Sequence, residues 1–462
     1  MTDLVIVADD LTGAGDAAVG FAATTTVAVL TDPAGPWPVA AVLAVDTDSR
    51  YAAPATAATR VATTVTRTRK PTTREPHKPE DSEARDPRES GTGEARESGG
   101  GEARESGTRE AREAGVTESG PWVYKKVDSL LRGNVAAEIR AAAGALGAPG
   151  GPALAVVAPA FPATGRTVRG GVLYVHGEPL PADARRTGDL SALLGGAGLR
   201  VRVVHQCTPE TLEKARAAGI DAVVCDTETD ADLAAVARSV YAVPFPVLPV
   251  GSAGLAAQIT VPPRVSAAAV APVGGRALVV IGSYAREARA QREALVAAGF
   301  VPVVCDPGRD VGEAGAALRA AVSGADVVLS PDPAAPVDRR RSAAVAGRLA
   351  ALTAAAAPVA GLLVAAGGET ARAVLTRLEA RELWPVAQPE PGVVVSRVPG
   401  LRPTMVTKAG AFGDPMVLVR VIRALTGHPL GPARPSADDA AGRPPGPAER
   451  DVTDLTGPDG GN

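Results

Sequence analysis

Short apolar runs alternate with alanine-rich amphipathic stretches along most of the chain. Leu4–Ala8, Thr26–Thr31, Ala41–Val45, Trp122–Lys125, Ala153–Ala158, Val201–Val204, Ala222–Cys225 and Val247–Val250 have the length and bounding turn residues of strands. Between them, Asp16–Ala23, Pro54–Arg67, Asn134–Leu146, Pro209–Ala218 and Asp230–Tyr241 read as helices. Residues 261–276 break the pattern with three prolines and little periodicity, and read as a linker. The pattern then restarts. Ala277–Ile281, Val301–Cys305, Asp326–Ser330 and Leu362–Ala365 are expected strands; Arg286–Ala298, Glu313–Val322, Asp338–Ala356 and Glu369–Arg381 are expected helices. Strands separated by helices imply βαβ units and parallel sheets buried on both faces. The expectation is an α/β chain of two domains, 1–262 and 276–427, joined by a linker at 263–275. Each is a mainly parallel sheet flanked by helices, with the site in the cleft between them.

Two segments lack the pattern. Residues 68–120 are Arg, Glu, Gly, Ser, Thr and Pro with almost no apolar side chains, and the unit Gly-Glu-Ala-Arg-Glu-Ser-Gly occurs at 93–99 and again at 101–107. Such a stretch has nothing to bury against the entropy of ordering, so it is expected to be a disordered insertion; the repeat is too short for a solenoid. Residues 428–462, rich in Pro, Gly and Asp, read as a loose tail.

Composition narrows the function. Aromatic residues are only 3% of the 462, so the core must rest on Ala, Val and Leu. The net charge of −3 leaves no basic surplus for a phosphate backbone, which disfavours a nucleic-acid partner. Cys207, Cys225 and Cys305 are widely spaced, as are His77, His176, His205 and His428; neither set has metal-ligand spacing, and no metal site is expected. The thiols read as buried structural groups. The first apolar run is too short for a signal sequence and follows no basic segment, and no uninterrupted apolar run approaches the ~18 residues of a membrane span. A cytoplasmic protein without a membrane partner is expected. Nothing in the sequence fixes its oligomeric state, and a homodimer is compatible with it.

The candidate chemistry follows the strands, where open α/β sheets bind ligands. Asp9-Asp10-Leu11-Thr12-Gly13 comes directly after the first strand. Its carboxylates could bind a polyol or take a hydroxyl proton, or the segment could be an Asp N-cap and a glycine turn. Asp48-Ser49-Arg50 follows the third strand, and Arg50 could fork onto a carboxylate or lie on the surface. Lys125-Lys126-Val127-Asp128-Ser129-Leu130-Leu131-Arg132-Gly133-Asn134 places charges between a strand and a helix that Asn134 can cap. Those positive charges suit a carboxylate or a moving phosphoryl group. A loop at 159–167 presents Arg166 and Thr167, either to an anion or as part of a hairpin. Further on, Gly282-Ser283, Gly367-Gly368-Glu369-Thr370 and Lys408-Ala409-Gly410 follow apolar runs; each alone is more commonly only a glycine turn, and together their backbone amides could cradle phosphate. There is no GxxxxGK[ST], no helix-opening GxGxxG after the first strand and no GxSxG.

Taken in order, Ala8-Asp9-Asp10-Leu11-Thr12-Gly13, Asp48-Ser49-Arg50, Lys125-Lys126-Val127-Asp128-Ser129, Leu131-Arg132-Gly133-Asn134, Pro159-Ala160-Phe161-Pro162, Gly165-Arg166-Thr167, Gly251-Ser252-Ala253-Gly254, Gly282-Ser283, Gly367-Gly368-Glu369-Thr370 and Thr407-Lys408-Ala409-Gly410 resemble the four-carbon acid sugar kinase family. The resemblance covers both expected domains. It implies an N-terminal domain that binds a tetronate such as threonate, erythronate or an oxo form, and a C-terminal domain that binds ATP, used with Mg²⁺. It assigns ATP to Ser283, Gly367, Gly368, Glu369, Thr370 and Gly410. The acid falls to Asp9, Arg50, Ser129, Arg132 and Arg166. Asp10, Asp128 and Lys126 become the catalytic candidates, with Asp10 the first choice as base. The chain departs from the family pattern at Leu130, where a threonine is usual, and at Tyr284-Ala285-Arg286-Glu287, where small polar residues and a proline are usual. Two other classes remain open: a regulatory protein that binds these ligands without catalysis, and a sugar-acid enzyme that does not use ATP.

Overall fold

A computed structural model describes residues 2–69, 120–147, 151–183, 187–264, 272–306, 308–334, 342–410 and 412–427. The expected insertion and tail, and most of the expected linker, lie outside the described residues. The N-terminal block runs β1 (Leu4–Ala8), α1 (Leu11–Ala18), β2 (Val27–Leu30), β3 (Val42–Asp46), α2 (Pro54–Thr68), β4 (Trp122–Lys126), α3 (Val135–Leu146), β5 (Leu154–Ala158), the short strands β6 (Arg166–Arg169), β7 (Val172–Val175) and β8 (Glu178–Pro179), α4 (Leu190–Gly195), β9 (Val201–Val204), α5 (Pro209–Ala217), β10 (Ala222–Cys225), α6 (Asp230–Ala242), β11 (Val247–Gly251) and α7 (Ala253–Ala256). The C-terminal block continues with β12 (Ala277–Ile281), α8 (Arg286–Ala297), β13 (Val301–Val304), α9 (Val311–Gly324), β14 (Val327–Ser330), α10 (Ser342–Ala356), β15 (Leu362–Ala366), α11 (Gly368–Arg377), β16 (Glu382–Glu390), β17 (Val393–Arg397), β18 (Thr404–Lys408) and α12 (Val417–Thr426).

Fifteen strands form one sheet in the order β13-β14-β12-β15-β18-β17-β16-β2-β3-β1-β4-β11-β5-β10-β9. From β2 to β9 every pairing is parallel. So is every pairing from β13 to β18. Helices flank both blocks, as the alternation of runs implies. All residues of β1, β3, β5, β11, β12 and β15 are buried, which is why these segments read as unbroken apolar runs. The three cysteines are free and buried.

The junction between the blocks was not legible. β16 and β17 form an antiparallel ribbon that pairs with β18 on one side and, through Glu382↔Leu30 and Leu383↔Val29, with β2 on the other. Pro385 and Pro389 interrupt β16 and argue against a strand in the sequence; the structure accommodates them with shifts in register at 385–390. A separate three-stranded sheet, β6-β7-β8, turns at Gly170-Gly171. Both glycines have positive φ, +59° and +73°, as a two-residue hairpin turn requires.

Two helices also differ from expectation at an end. α1 begins at Leu11 rather than Asp16, because Asp10 caps it by accepting from Gly13 N at 2.9 Å. The glycines that suggested a turn are instead buried helical positions where α1 passes close to its neighbours. α11 stops at Arg377, and Glu379 has a left-handed φ of +56° that cannot continue a helix. The expected start of α10 at Asp338 lies outside the described residues. Residues Ser342–Val359, with mean hydropathy 1.3, are long and apolar enough to cross a membrane, yet they pack against α9 and α11 with Leu349, Leu352 and Ala356 buried.

Candidate functional site

Because β1, β3 and β4 are parallel neighbours, the loops after them emerge at one edge of the sheet. Arg50 lies at the centre of what they build. Its Nε and Nη2 donate to the two oxygens of Asp9 at 2.7 and 2.9 Å. Its Nη1 and Nη2 donate to the two oxygens of Asp10, both at 2.8 Å. Asp128 Oδ1 lies 3.5 Å from Nη2. Arg132 closes onto Asp128 from the far side with bonds of 2.8 and 2.6 Å. Asp128 also accepts from the backbone of Leu130 and Arg132, and so shapes its own loop.

Burial pushes the Asp9 and Asp128 carboxyls up, but the opposing charges outweigh it. Arg50 and the two lysines hold Asp9 below the usual carboxylate range. Arg50, Arg132 and Lys126 hold Asp128 well below it. Both are therefore anions. Burial works against the Arg50 charge too, and the three carboxylates outweigh it.

Strand alternation separates the two lysines. Lys125 is fully buried and pairs with Glu138 of α3 at 2.9 Å; Glu138 also accepts from Ser49 at 2.7 Å. This is a foundation for the 47–50 loop, not a ligand site. Lys126 points to the other face, donates to Val127 O at 2.8 Å, and lines a cavity. Asn134 sits at the N-cap position of α3 without capping it. Its amide instead donates to Ser49 O and Ala52 O, both at 2.9 Å, tying α3 to the Arg50 loop.

The C-terminal block presents its turns in the same manner. β12, β15 and β18 are adjacent and parallel, and Gly282-Ser283, Gly367-Gly368 and Ala409-Gly410 follow them. Gly367 has φ +110°, a conformation closed to other residues. A Cβ on Gly410 would lie 2.9 Å from Ser283 Oγ, so the two turns touch. Behind Gly367, α11 points its N-terminal amides at the space between them.

Two cavities meet here. The larger, about 1200 Å³ counting the open solvent at its mouth, is bounded by Ser283, Gly367, Gly368, Glu369, Thr370 and Gly410 on one side and by Asp9, Asp10, Arg50 and Arg132 on the other. The smaller, about 410 Å³ on the same basis, is bounded by Asp10, Lys126, Asp128, Ser129, Arg132 and Phe412. Asp10, Thr12, Arg50, Arg132 and Ala409 belong to both walls. At the boundary a Cβ on Gly368 would lie 3.1 Å from Asp10 Oδ2. All the expected site residues thus converge except Arg166. It stands at the margin as the first residue of β6, with Cζ 5.1 Å over the Phe412 ring and a bond to Thr164 O.

The larger cavity fits a nucleotide: glycine turns that a side chain would fill, a helix N-terminus and a hydroxyl converge on it. Among the described residues no group of three or more His, Cys, Asp or Glu could hold a metal. Asp10 and Glu369 face this cavity, and one or two carboxylates are the donor set used by a Mg²⁺ carried on phosphates.

Comparison with known proteins agrees. Residues 4–85 and 92–259 match the profile of a sugar-binding N-terminal domain, and residues 278–418 that of a nucleotide-binding C-terminal domain. A D-threonate kinase of Cupriavidus necator is 34% identical over 91% of this chain and 98% of its own length. The chain belongs to the tetronate kinase family. A second D-threonate kinase, from Bordetella bronchiseptica, is 38% identical over 66% of this chain and 78% of its own. A 3-oxo-tetronate kinase of Cupriavidus necator is 29% identical over 59% and 72%. A solved structure from Salmonella typhimurium, described as a putative tRNA synthase, shares this chain's fold, with TM-score 0.66 at 19% identity over 92% of this chain and 100% of that one.

In this family member the structure adds residues to which the sequence assigned no role. Thr12 donates to Asp10 Oδ2 at 2.7 Å. Asp16 lines the smaller cavity and accepts from Gln388 at 2.7 Å; burial raises its pKa against the pull of Lys126. Arg372, on α11, reaches across to Asp46 at 3.1 Å, Asp48 at 3.0 Å and Thr31 O at 3.1 Å. It lies four residues after Gly368 and so one helical turn from it, the only signal that could have pointed to it.

Proposed function

We propose that this protein transfers the γ-phosphoryl group of ATP to a hydroxyl of a four-carbon sugar acid. One observation carries the reading: a glycine-walled cavity and a charged cavity share the Asp10–Thr12 wall. ATP would occupy the larger, its phosphates against Gly367, Gly368, Gly410 and Ser283. The acid would occupy the smaller, its carboxylate met by Lys126 and Arg132. This divides the labour along the boundary suggested by the sequence, with 1–262 for the acid and 276–427 for the nucleotide.

Phosphoryl transfer leaves the protein mainly positioning and charge stabilisation. Mg²⁺, when bound with ATP, supplies charge neutralisation on the phosphates. Asp10 would receive the acceptor's proton. Its oxygens already accept from Gly13, Thr12 and twice from Arg50, which fills a carboxylate's usual four acceptor positions. The acceptor hydroxyl therefore replaces the Thr12 hydroxyl on Oδ2. Arg50, fixed by Asp9 and Asp128, keeps Asp10 aimed across the boundary. Closure around both ligands excludes water as a competing acceptor.

The test is ADP release with ATP and Mg²⁺ over D- and L-threonate, D- and L-erythronate and their oxo forms. Turnover with one of them supports the proposal and names the substrate. Ligand binding without turnover would favour a regulatory protein, and conversion of an acid without ATP would favour a different enzyme.

A further inference from the structure

Phe412 belongs to the C-terminal block but forms part of the wall of the smaller cavity. Its position is fixed from three directions. Its carbonyl accepts from Lys408 Nζ at 2.6 Å and from Gln291 Nε2 at 2.9 Å, and both of those side chains are buried. Its ring rests on Gly392 in the β16–β17 turn, where a Cβ would come within 3.1 Å of it. From the N-terminal block, the Arg166 guanidinium lies 5.1 Å over the ring. Phe161 lines the same cavity. The cavity therefore has charged walls at Lys126, Asp128 and Arg132 and aromatic walls at Phe161 and Phe412.

We infer that Phe412 is a specificity-determining residue that limits the carbon-chain length of the acid. This deepens the kinase reading and rests on it. A sugar acid held by its carboxylate and hydroxyls presents its carbon–hydrogen face to the remaining walls. A clamped ring there contacts an acid that fits and excludes one that is a carbon longer. Because the ring is held from both blocks, it does not yield to the longer acid as a mobile side chain would. Pockets discriminate a single added carbon by about 10- to 200-fold, which sets the scale of the effect.

The experiment compares kcat/KM for the preferred four-carbon acid and for its five-carbon homologue in wild type, Phe412→Ala and Phe412→Leu, with the KM for ATP measured alongside. In Phe412→Ala the ratio is expected to move about ten-fold or more toward the five-carbon acid, with the KM for ATP within about two-fold of wild type. Phe412→Leu, which keeps an apolar side chain against Gly392, is expected to fall between. Parallel loss with both acids in both variants, on an active wild type, would overturn the inference and leave the kinase reading standing. A wild type inactive on every four-carbon acid would overturn both.

Discussion

The two cavities are built in opposite ways. The smaller is made of side-chain charge: Asp10, Arg50, Asp128 and Arg132 interlock there, with Arg50 and Asp128 buried, and rest on a Lys125–Glu138 pair beneath. The larger is made of backbone: glycine turns and a helix N-terminus, with few charges on the C-terminal side. A small acid with one carboxylate and several hydroxyls needs directional partners, whereas a polyphosphate can be held by amides and a dipole. The first cavity is therefore vulnerable to loss of charge, and the second to gain of a Cβ.

The largest effect is expected where the cavities meet. Asp10→Asn keeps the shape and the cap of α1 but removes the proton acceptor, so kcat is expected to fall about 10²- to 10⁴-fold with little change in ATP affinity. Steady-state kinetics measure this, and near-normal turnover would remove Asp10 from the mechanism. Arg50→Ala leaves the buried Asp9 and Asp128, and the half-buried Asp10, without their shared partner. Unfolding in denaturant should show a loss of about 3–5 kcal/mol, the scale for breaking a buried pair. A loss comparable to that of an exposed ion pair would mean that water, not Arg50, compensates these charges.

Arg372→Gln tests the link between the cavities. Arg372 ties the helix behind the glycine turn to the strand end that carries the Arg50 loop. Because Arg372 also lines the larger cavity, the KM for ATP and the KM for the acid should both rise, each about ten-fold; a change in only one would confine Arg372 to that ligand's cavity. The smallest effect concerns pH. Burial raises Asp46 to about 7 against the pull of Arg372. A carboxyl raised on folding contributes stability at low pH that is lost as pH rises, here from its ordinary 3.8 to about 7. Asp46→Asn should flatten that decline when denaturant midpoints are compared at about pH 5 and about pH 8. An unchanged slope would assign it to other groups.

The difference between the cavities also explains what was legible. Asp9, Asp10, Arg50, Asp128 and Arg132 could be found because polar residues directly after apolar strands have few structural reasons to be there. The parallel blocks could be read because their strands are buried on both faces. The ribbon that joins them could not, because Pro385 and Pro389 argue against a strand while the register shift that absorbs them is a tertiary feature. Asp10 was open between an N-cap and a ligand group; it caps α1 and also lies on the shared wall. Arg372 and Phe412 act across the two blocks, and local pattern carries no information about partners so distant in sequence.

The central claim is that nucleotide and acid occupy separable cavities. Calorimetric titration of a non-hydrolysable ATP analogue and of the preferred acid into Gly367→Ala and Lys126→Gln tests it most directly. A Cβ at the left-handed Gly367 should weaken the nucleotide by about 10- to 100-fold and leave the acid nearly unchanged, while Lys126→Gln, which alters the wall of the smaller cavity alone, should do the reverse. Equal weakening of both ligands in both variants would contradict the division and point to a single, jointly built site.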